Sequence, residues 1–453
     1  MHNKSLLIAA VAATLSAPAF AQTVNGPMAF DPIPASAYAE QTADATILTE
    51  SPWVIPQGFR QYIVSDERNL DIYPGSPDWN DMNTVNETGK HAGRYLYRTH
   101  EVRPDSANPS AYTGGAVSVV DLKTGAAKIV VQRQDWEALD GLVWTPWGTA
   151  LFAEETSTAV FKDPNFPSAT RGLLYELKLD KKDPTQSASV TVRPMLGSIA
   201  HEGIEFDAQG NVYVIDETSP GAIFKFVPKT RGDLSDGQLY ALKIVTSSGD
   251  RTGEAEWVAL DMALAQTDAR AAATAVGATG YGRPEDLERI GNTLYAAITS
   301  EARVLSISLG DKPVARDFVK AGLNVPVENN ATRTTGFRNP DNLANGPDGK
   351  LWIVEDNIPS DIWVALPDKD GDGASDGVYL FASLKDSNAE GTGIYFGKDP
   401  RTLFVNVQHS VTGNDKTMAI TNRKTDNYHG DDEGEQDQHE DRDNNDKDDD
   451  RDD

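Results

Sequence analysis

Six times along the chain an acidic or polar opening is followed by a turn glycine, an apolar run and a second acidic or polar pair. The clearest copy opens at Glu202-Gly203-Ile204-Glu205 and turns at Gly210-Asn211. It then rises through Val212-Tyr213-Val214-Ile215 to Asp216-Glu217. Another opens at Asp341-Asn342, turns at Asp348-Gly349 and ends at Glu355-Asp356. A third turns at Gly148 and ends at Glu154-Glu155, and a fourth opens at Glu285-Asp286 and turns at Gly291-Asn292. Gly93 precedes a run ending at His100-Glu101, and a degenerate last copy leads from Glu390 to Gln408-His409. Blade-sized repeats, roughly 40–50 residues of short strands, mark a β-propeller. The expected fold is all-β, a six-bladed β-propeller with loop and helical insertions. Equivalent positions of such repeats converge on the central axis at one face. Carboxylates gathered there repel one another unless cations sit between them, so a metal cluster is the leading expectation.

The chain has 453 residues, enough for one large domain. Residues 1–21 read as a secretory signal: Lys4, an apolar stretch from Leu6 to Leu15, then Ala19-Phe20-Ala21. Cleavage is expected after Ala21, which places the mature protein in the periplasm or outside the cell. That segment holds no arginine, so a twin-arginine export signal is absent from it. Residues 22–57 read as an extended lead-in, 58–424 as the propeller and 425–453 as a disordered acidic tail. The tail from Gly430 to Asp453 carries 14 acidic and 3 basic residues and has almost nothing apolar to bury. Removing its charge from the formal −28 of the whole leaves −17. That argues against nucleic acid or an anionic membrane as partner, and the chain is expected to be monomeric. The absence of cysteine rules out disulfides, thiolate ligands and a thiol nucleophile.

Two stretches break the repeat. Trp257 to Ala275 is alanine-rich and is expected to be a helical insertion over one face; Arg68 to Gly89 is expected to be a loop on a rim. The copy ending at Gln408-His409 is the weakest, so a strand near Tyr62 is expected to complete the last blade.

The acids expected to line the axis as metal ligands are Glu101, Asp140, Glu154, Glu155, Glu202, Asp216, Glu217, Glu285, Asp341, Glu355 and Asp356. A separate calcium loop is expected at Asp368-Lys369-Asp370-Gly371-Asp372-Gly373 with Asp376. It has acids at loop positions one, three, five and nine and a glycine at six, although Tyr379 stands where a bidentate Glu belongs. His201, beside Glu202, is expected to support the fold rather than to ligate. No serine-hydrolase elbow, phosphate-binding loop or dinucleotide fingerprint is present.

The most distinctive string is Thr145-Pro146-Trp147-Gly148-Thr149 followed by Glu154-Glu155. Together with His100-Glu101, His201-Glu202-Gly203 and Arg283-Pro284-Glu285-Asp286 it resembles the PhoX family of secreted alkaline phosphatases. The resemblance runs loosely from about Arg94 to His409. It implies a six-bladed propeller with an axial cluster of iron and calcium that hydrolyses phosphomonoesters. It implies catalytic roles for Glu202 and Glu285 as iron-type ligands and for Arg283 as a phosphate contact, the remaining acids being calcium ligands. Asp140 stands where the family carries a cysteine ligand. Thiolate suits iron and carboxylate suits hard ions, so several Ca2+ ions are expected in preference to Fe3+.

The function expected is therefore a metal-dependent phosphoric ester hydrolase, a phosphomonoesterase or phosphodiesterase acting on a small phosphorylated substrate. Two alternatives stand beside it: a secreted propeller whose calcium is only structural, and a single-metal propeller lactonase using Glu202, Asp341 and Asn342.

Overall fold

The structure is a computed structural model, which describes residues 23–74, 79–104 and 112–423. The signal expected at 1–21 and the tail expected at 425–453 lie outside these. Strands dominate, and they form six four-stranded antiparallel units over residues 79–132, 139–192, 201–249, 284–320, 340–384 and, together with 59–66, 390–422. The innermost strands are Trp79–Val85, Leu139–Trp144, His201–Phe206, Pro284–Ile290, Pro340–Asn345 and Glu390–Phe396. Each packs against the next, and the sixth packs against the first, so they enclose an axis. This is a β-propeller.

The last unit takes its outer strand from the start of the chain. Phe59–Asp66 pairs antiparallel with Lys416–Asn422, with Tyr62 opposite Ala419. Outside the repeat, Thr252–Ala259 pairs with the outer strands of the third and fourth units and joins them into one nine-stranded sheet.

Turn chemistry explains the regularity. Gly93, Gly148, Gly210, Gly291 and Gly349 each follow an innermost strand and adopt positive φ, between 63° and 86°. Glycine reaches that region without the Cβ penalty that other residues incur. The Thr145–Thr149 string is one such hairpin, tied by a hydrogen bond from the Thr149 backbone N–H to Thr145 Oγ1 (2.9 Å). Its Trp147 donates to Glu176 (2.8 Å).

Apolar residues fill the wedges between neighbouring sheets. The lead-in contributes to one of them. Phe30 and Trp53 are buried beside Trp352, Phe381 and Leu384, and the Phe30 and Phe381 rings meet edge to face with centroids 5.0 Å apart. Burying a side chain of this kind contributes about 1.5–3 kcal/mol. The lead-in is thus part of the core. It is also not simply extended: Ala45–Glu50 is helical, capped by the Asp44 carboxylate accepting from the Thr46 and Ile47 amides. The alanine-rich insertion is helical from Met262 to Val276, and Trp257 belongs to the preceding strand. The rim loop expected at Arg68 to Gly89 instead contains the innermost strand Trp79–Val85, whose polar sequence hides its position.

One irregularity positions the functional site. Every innermost strand carries a bulge near its start, at which two residues lie against one on the neighbouring strand. The paired residues are Asp81-Met82, Asp140-Gly141, Glu202-Gly203, Glu285-Asp286, Asp341-Asn342 and Gly393-Ile394. Five of the six bulges therefore begin with a carboxylate. The strands approach one another here at backbone distance. A Cβ on Gly141 would stand 1.9 Å from the Glu202 carbonyl oxygen, and one on Gly393 would stand 2.0 Å from that of Asp81.

Candidate functional site

At the bulged end of the axis lies a cleft of about 270 Å³. Asp81, Asp140, Glu202, Glu285 and Asp341 reach it from the bulges, and Glu101, Glu155, Glu217 and Asp356 reach it from the ends of second strands. Glu390 joins them from the sixth unit, beside Gln408 and His409, with Trp79 and Thr392 in the wall. Ten carboxyl groups face two guanidiniums, those of Arg103 and Arg283.

The acidic pairs at the second-strand ends divide between two directions, because successive side chains of a strand point to opposite faces. Glu155, Glu217 and Asp356 line the cleft, whereas their neighbours Glu154, Asp216 and Glu355 do not. Glu154 is buried between sheets, accepting from the Glu137 and Leu173 amides (both 3.1 Å) and the Tyr175 hydroxyl (3.3 Å). Asp216 pairs with Arg270 from the inserted helix (2.6 and 2.7 Å). Glu355 accepts from the Arg338 amide (2.8 Å) and Trp363 Nε1 (2.9 Å). These three residues, expected on the axis, bind the propeller's own framework.

Within the cleft the acids crowd into sets. Asp81, Glu101 and Asp140 each place an oxygen within 4.8 Å of the others, and so do Glu202, Glu217 and Glu285. Each set can hold a metal ion. Burial raises the carboxyl pKa of Asp81, Asp140, Glu202 and Asp341 well above the ordinary range, and neighbouring carboxylates push in the same direction. Burial likewise lifts Glu155, and the facing Glu217 adds to it. Glu285 is pushed up to about 8 by burial. Asp140 Oδ1 is buried without a hydrogen-bond partner among the described residues.

The two arginines stand at the mouth and bridge acids of neighbouring units. Arg103 reaches Glu101 and Glu155. Arg283 donates through Nε and Nη2 to Glu217 (2.9 and 2.6 Å) and lies 3.1 Å from Glu285. It precedes its strand with φ of 51°, a region that non-glycine residues seldom adopt.

Asp81, Arg103, Glu390, Gln408 and His409 belong to the cleft yet escape a ligand search by motif. Asp81 could have been found only by aligning Trp79–Val85 with the other bulged strands. His201 is buried outside the cleft, its Nε2 donating to the Gly197 carbonyl (3.0 Å) and its pKa lowered to about 4 by burial. In the separate loop, Asp368, Asp370 and Asp376 converge within 4.8 Å, while Asp372 accepts from the Ala374 amide (2.7 Å) outside that set.

A family model described as alkaline phosphatase PhoX matches residues 143–322 and 307–410, more than half of the chain. The chain belongs to the PhoX family. Membership makes it an enzyme of the phosphatase class. The matched span omits the first unit, and with it Asp81, Glu101 and Arg103. Among solved structures, PhoX from Pseudomonas fluorescens in complex with vanadate, a transition-state analogue, is 18% identical with a TM-score of 0.62. The match covers 88% of this chain and 98% of that one, and it shows a shared fold. A gluconolactonase from Xanthomonas campestris is 11% identical over 84% of this chain and 93% of its own, with a TM-score of 0.44. An aldose sugar dehydrogenase from Streptomyces coelicolor is 12% identical over 81% and 99%, with a TM-score of 0.43. No curated protein matches the sequence.

Proposed function

We propose that this PhoX-family protein hydrolyses small phosphomonoesters outside the cytoplasm, using several hard, calcium-type cations held by the cleft carboxylates. The observation that carries the reading is the convergence of ten carboxyl groups on two guanidiniums in one cleft. Such a cleft repels a phosphate dianion unless bound cations reverse its charge.

The residues fit cations of this kind. All the acidic donors are oxygens, as calcium and magnesium prefer, and Asp140 Oδ1 is buried with no hydrogen-bond partner among the described residues. Asp81, Glu101 and Asp140 form one candidate ligand set and Glu202, Glu217 and Glu285 another. Glu155, Asp341 and Asp356 complete the shell around them. Cations bound there would neutralise the phosphoester and acidify a water for attack. Arg283, and Arg103 opposite, can turn their planar guanidiniums from a carboxylate to the non-bridging phosphate oxygens. On the same footing, Asp368, Asp370 and Asp376 hold a separate structural calcium.

The test is elemental analysis of the purified protein combined with hydrolysis of 4-nitrophenyl phosphate before and after EDTA, and again after calcium or iron is restored. Several equivalents of calcium, with turnover that vanishes and returns with them, support the reading. A full complement of calcium without turnover leaves a calcium-stabilised scaffold in its place.

A further inference from the structure

Resting on the phosphatase reading above, we infer that Trp79 determines which esters the cleft prefers. Its indole is an aromatic wall for the planar organic group of a substrate whose phosphate is held by the cations and Arg283.

The indole stands where the core has no use for it. Of the chain's eight tryptophans, seven pack into the apolar wedges between sheets. Trp79 belongs to none of the apolar clusters among the described residues. It is half-buried and lines the acidic cleft instead, as the one large apolar side chain there. Beside ten carboxyl groups, the ring surface it leaves open is the part of the wall on which another flat ring can stack.

Strand register gives its place. The residue two before each bulge is Trp79 in the first unit, and Ala138, Ala200, Arg283, Asn339 and Gly391 in the units that follow. Alternation puts Trp79 on the same face of its strand as Asp81, about 7 Å nearer the strand's start and the mouth. At this level only Trp79 and Arg283 carry large side chains; two alanines, an asparagine and a glycine leave space between them. The two belong to the first and fourth of six units in a closed ring, so they stand on opposite sides of the axis. A phosphomonoester whose phosphate lies against Arg283 therefore presents its organic group to the wall that Trp79 forms.

The wall is braced before any ligand arrives. The His409 ring meets the indole edge to face with centroids 4.4 Å apart. His409 is itself fixed by Asp415, whose buried carboxylate accepts from the amides of His409 (2.9 Å) and Ser410 (2.7 Å). Asn388 donates to the His409 carbonyl (2.8 Å). A surface held in this way gives up little freedom when a ring settles on it, which favours binding.

The experiment uses two phosphonates that cannot be hydrolysed, phenylphosphonate and methylphosphonate, as competitive inhibitors of the full-length, calcium-loaded protein, with binding also read by calorimetry. The wild type is expected to bind phenylphosphonate about 10-fold more tightly, the order of one ring stacked on an aromatic side chain. Trp79→Ala is expected to abolish that margin and Trp79→Phe to keep most of it, with methylphosphonate affinity changing by less than about 3-fold in both. Substrates are expected to divide in the same way. Trp79→Ala should lower kcat/KM on 4-nitrophenyl phosphate about 10-fold, through KM, and on glycerol phosphate by less than about 3-fold. A wild type that does not distinguish the phosphonates, a margin that survives in Trp79→Ala, or equal losses on both ligands overturns the assignment. A loaded wild type that binds neither phosphonate and hydrolyses no ester overturns the phosphatase reading itself, and the assignment with it.

Discussion

The carboxyl groups of Glu202 and Glu285, carried by adjacent innermost strands, converge with Glu217 so that each places an oxygen within 4.8 Å of the others, and burial raises the pKa of both Glu202 and Glu285. A cation placed among them would let all three ionise together. Two ionised carboxylates about 4 Å apart repel by about 4 kcal/mol at an effective dielectric constant near 20. Removing the cations at neutral pH should therefore destabilise the fold as well as stop turnover. EDTA is expected to lower the melting temperature by about 5 °C or more, with recovery on adding calcium. Glu285→Gln, carrying one charge fewer, should melt closer to the wild type in EDTA while losing activity and at least one ion. If neither stability nor turnover responds to EDTA, the cation reading fails.

Arg283 separates binding from metal content. Arg283→Ala removes a guanidinium that contributes about 1.5–3 kcal/mol through charged hydrogen bonds. Inhibition by inorganic phosphate should weaken by about 10-fold or more, with calcium content unchanged by elemental analysis. Unaltered phosphate inhibition would show that Arg283 serves only its pairs with Glu217 and Glu285.

Glu154 sets a pH dependence that lies away from the cleft. Burial raises its pKa from 4.5 to about 8. A carboxyl raised on folding contributes stability in full below its unfolded value and loses it as pH climbs to its folded value. The wild type should thus lose stability between pH 4.5 and about 8 through this residue. Glu154→Gln shifts the baseline, because an amide oxygen replaces two acceptors, but should remove that slope. Melting temperatures of the two proteins measured across this range are expected to converge or cross as pH rises; a constant gap would assign the slope to other groups.

Asp140 tests ion preference. Asp140→Cys places a thiolate beside Asp81 and Glu101, and soft sulfur favours iron over calcium. Iron content after reconstitution with both metals should rise relative to the wild type, and an unchanged ratio would place Asp140 outside the ligand shell.

Turn glycines and strand-end acids made the repeat legible in the sequence, because each depends on one residue type at one local geometry. The direction of each acid was not legible. In Glu154-Glu155, Asp216-Glu217 and Glu355-Asp356 the residues of each pair are chemically alike, and strand alternation sends them opposite ways. Which one meets the axis depends on the bulge upstream, and a bulge leaves no compositional mark when its residues are as varied as Asp81-Met82 and Gly393-Ile394. Asp81 was hidden further by a polar strand, Trp-Asn-Asp-Met-Asn-Thr-Val, whose burial comes from the ring around it rather than from its own hydrophobicity.

The pairing of Phe59–Asp66 with Lys416–Asn422 gives the ring a seam between strands more than 300 positions apart; the Arg423 amide donates to the Gly58 carbonyl at 2.8 Å. The ring cannot be shut until Lys416–Asn422 has been made. A chain synthesised short of that strand has an incomplete final unit and an open central axis, and its acids cannot yet share cations. Assembly of the cleft is in this way deferred until that strand emerges, and the surroundings at that moment decide which ions it captures.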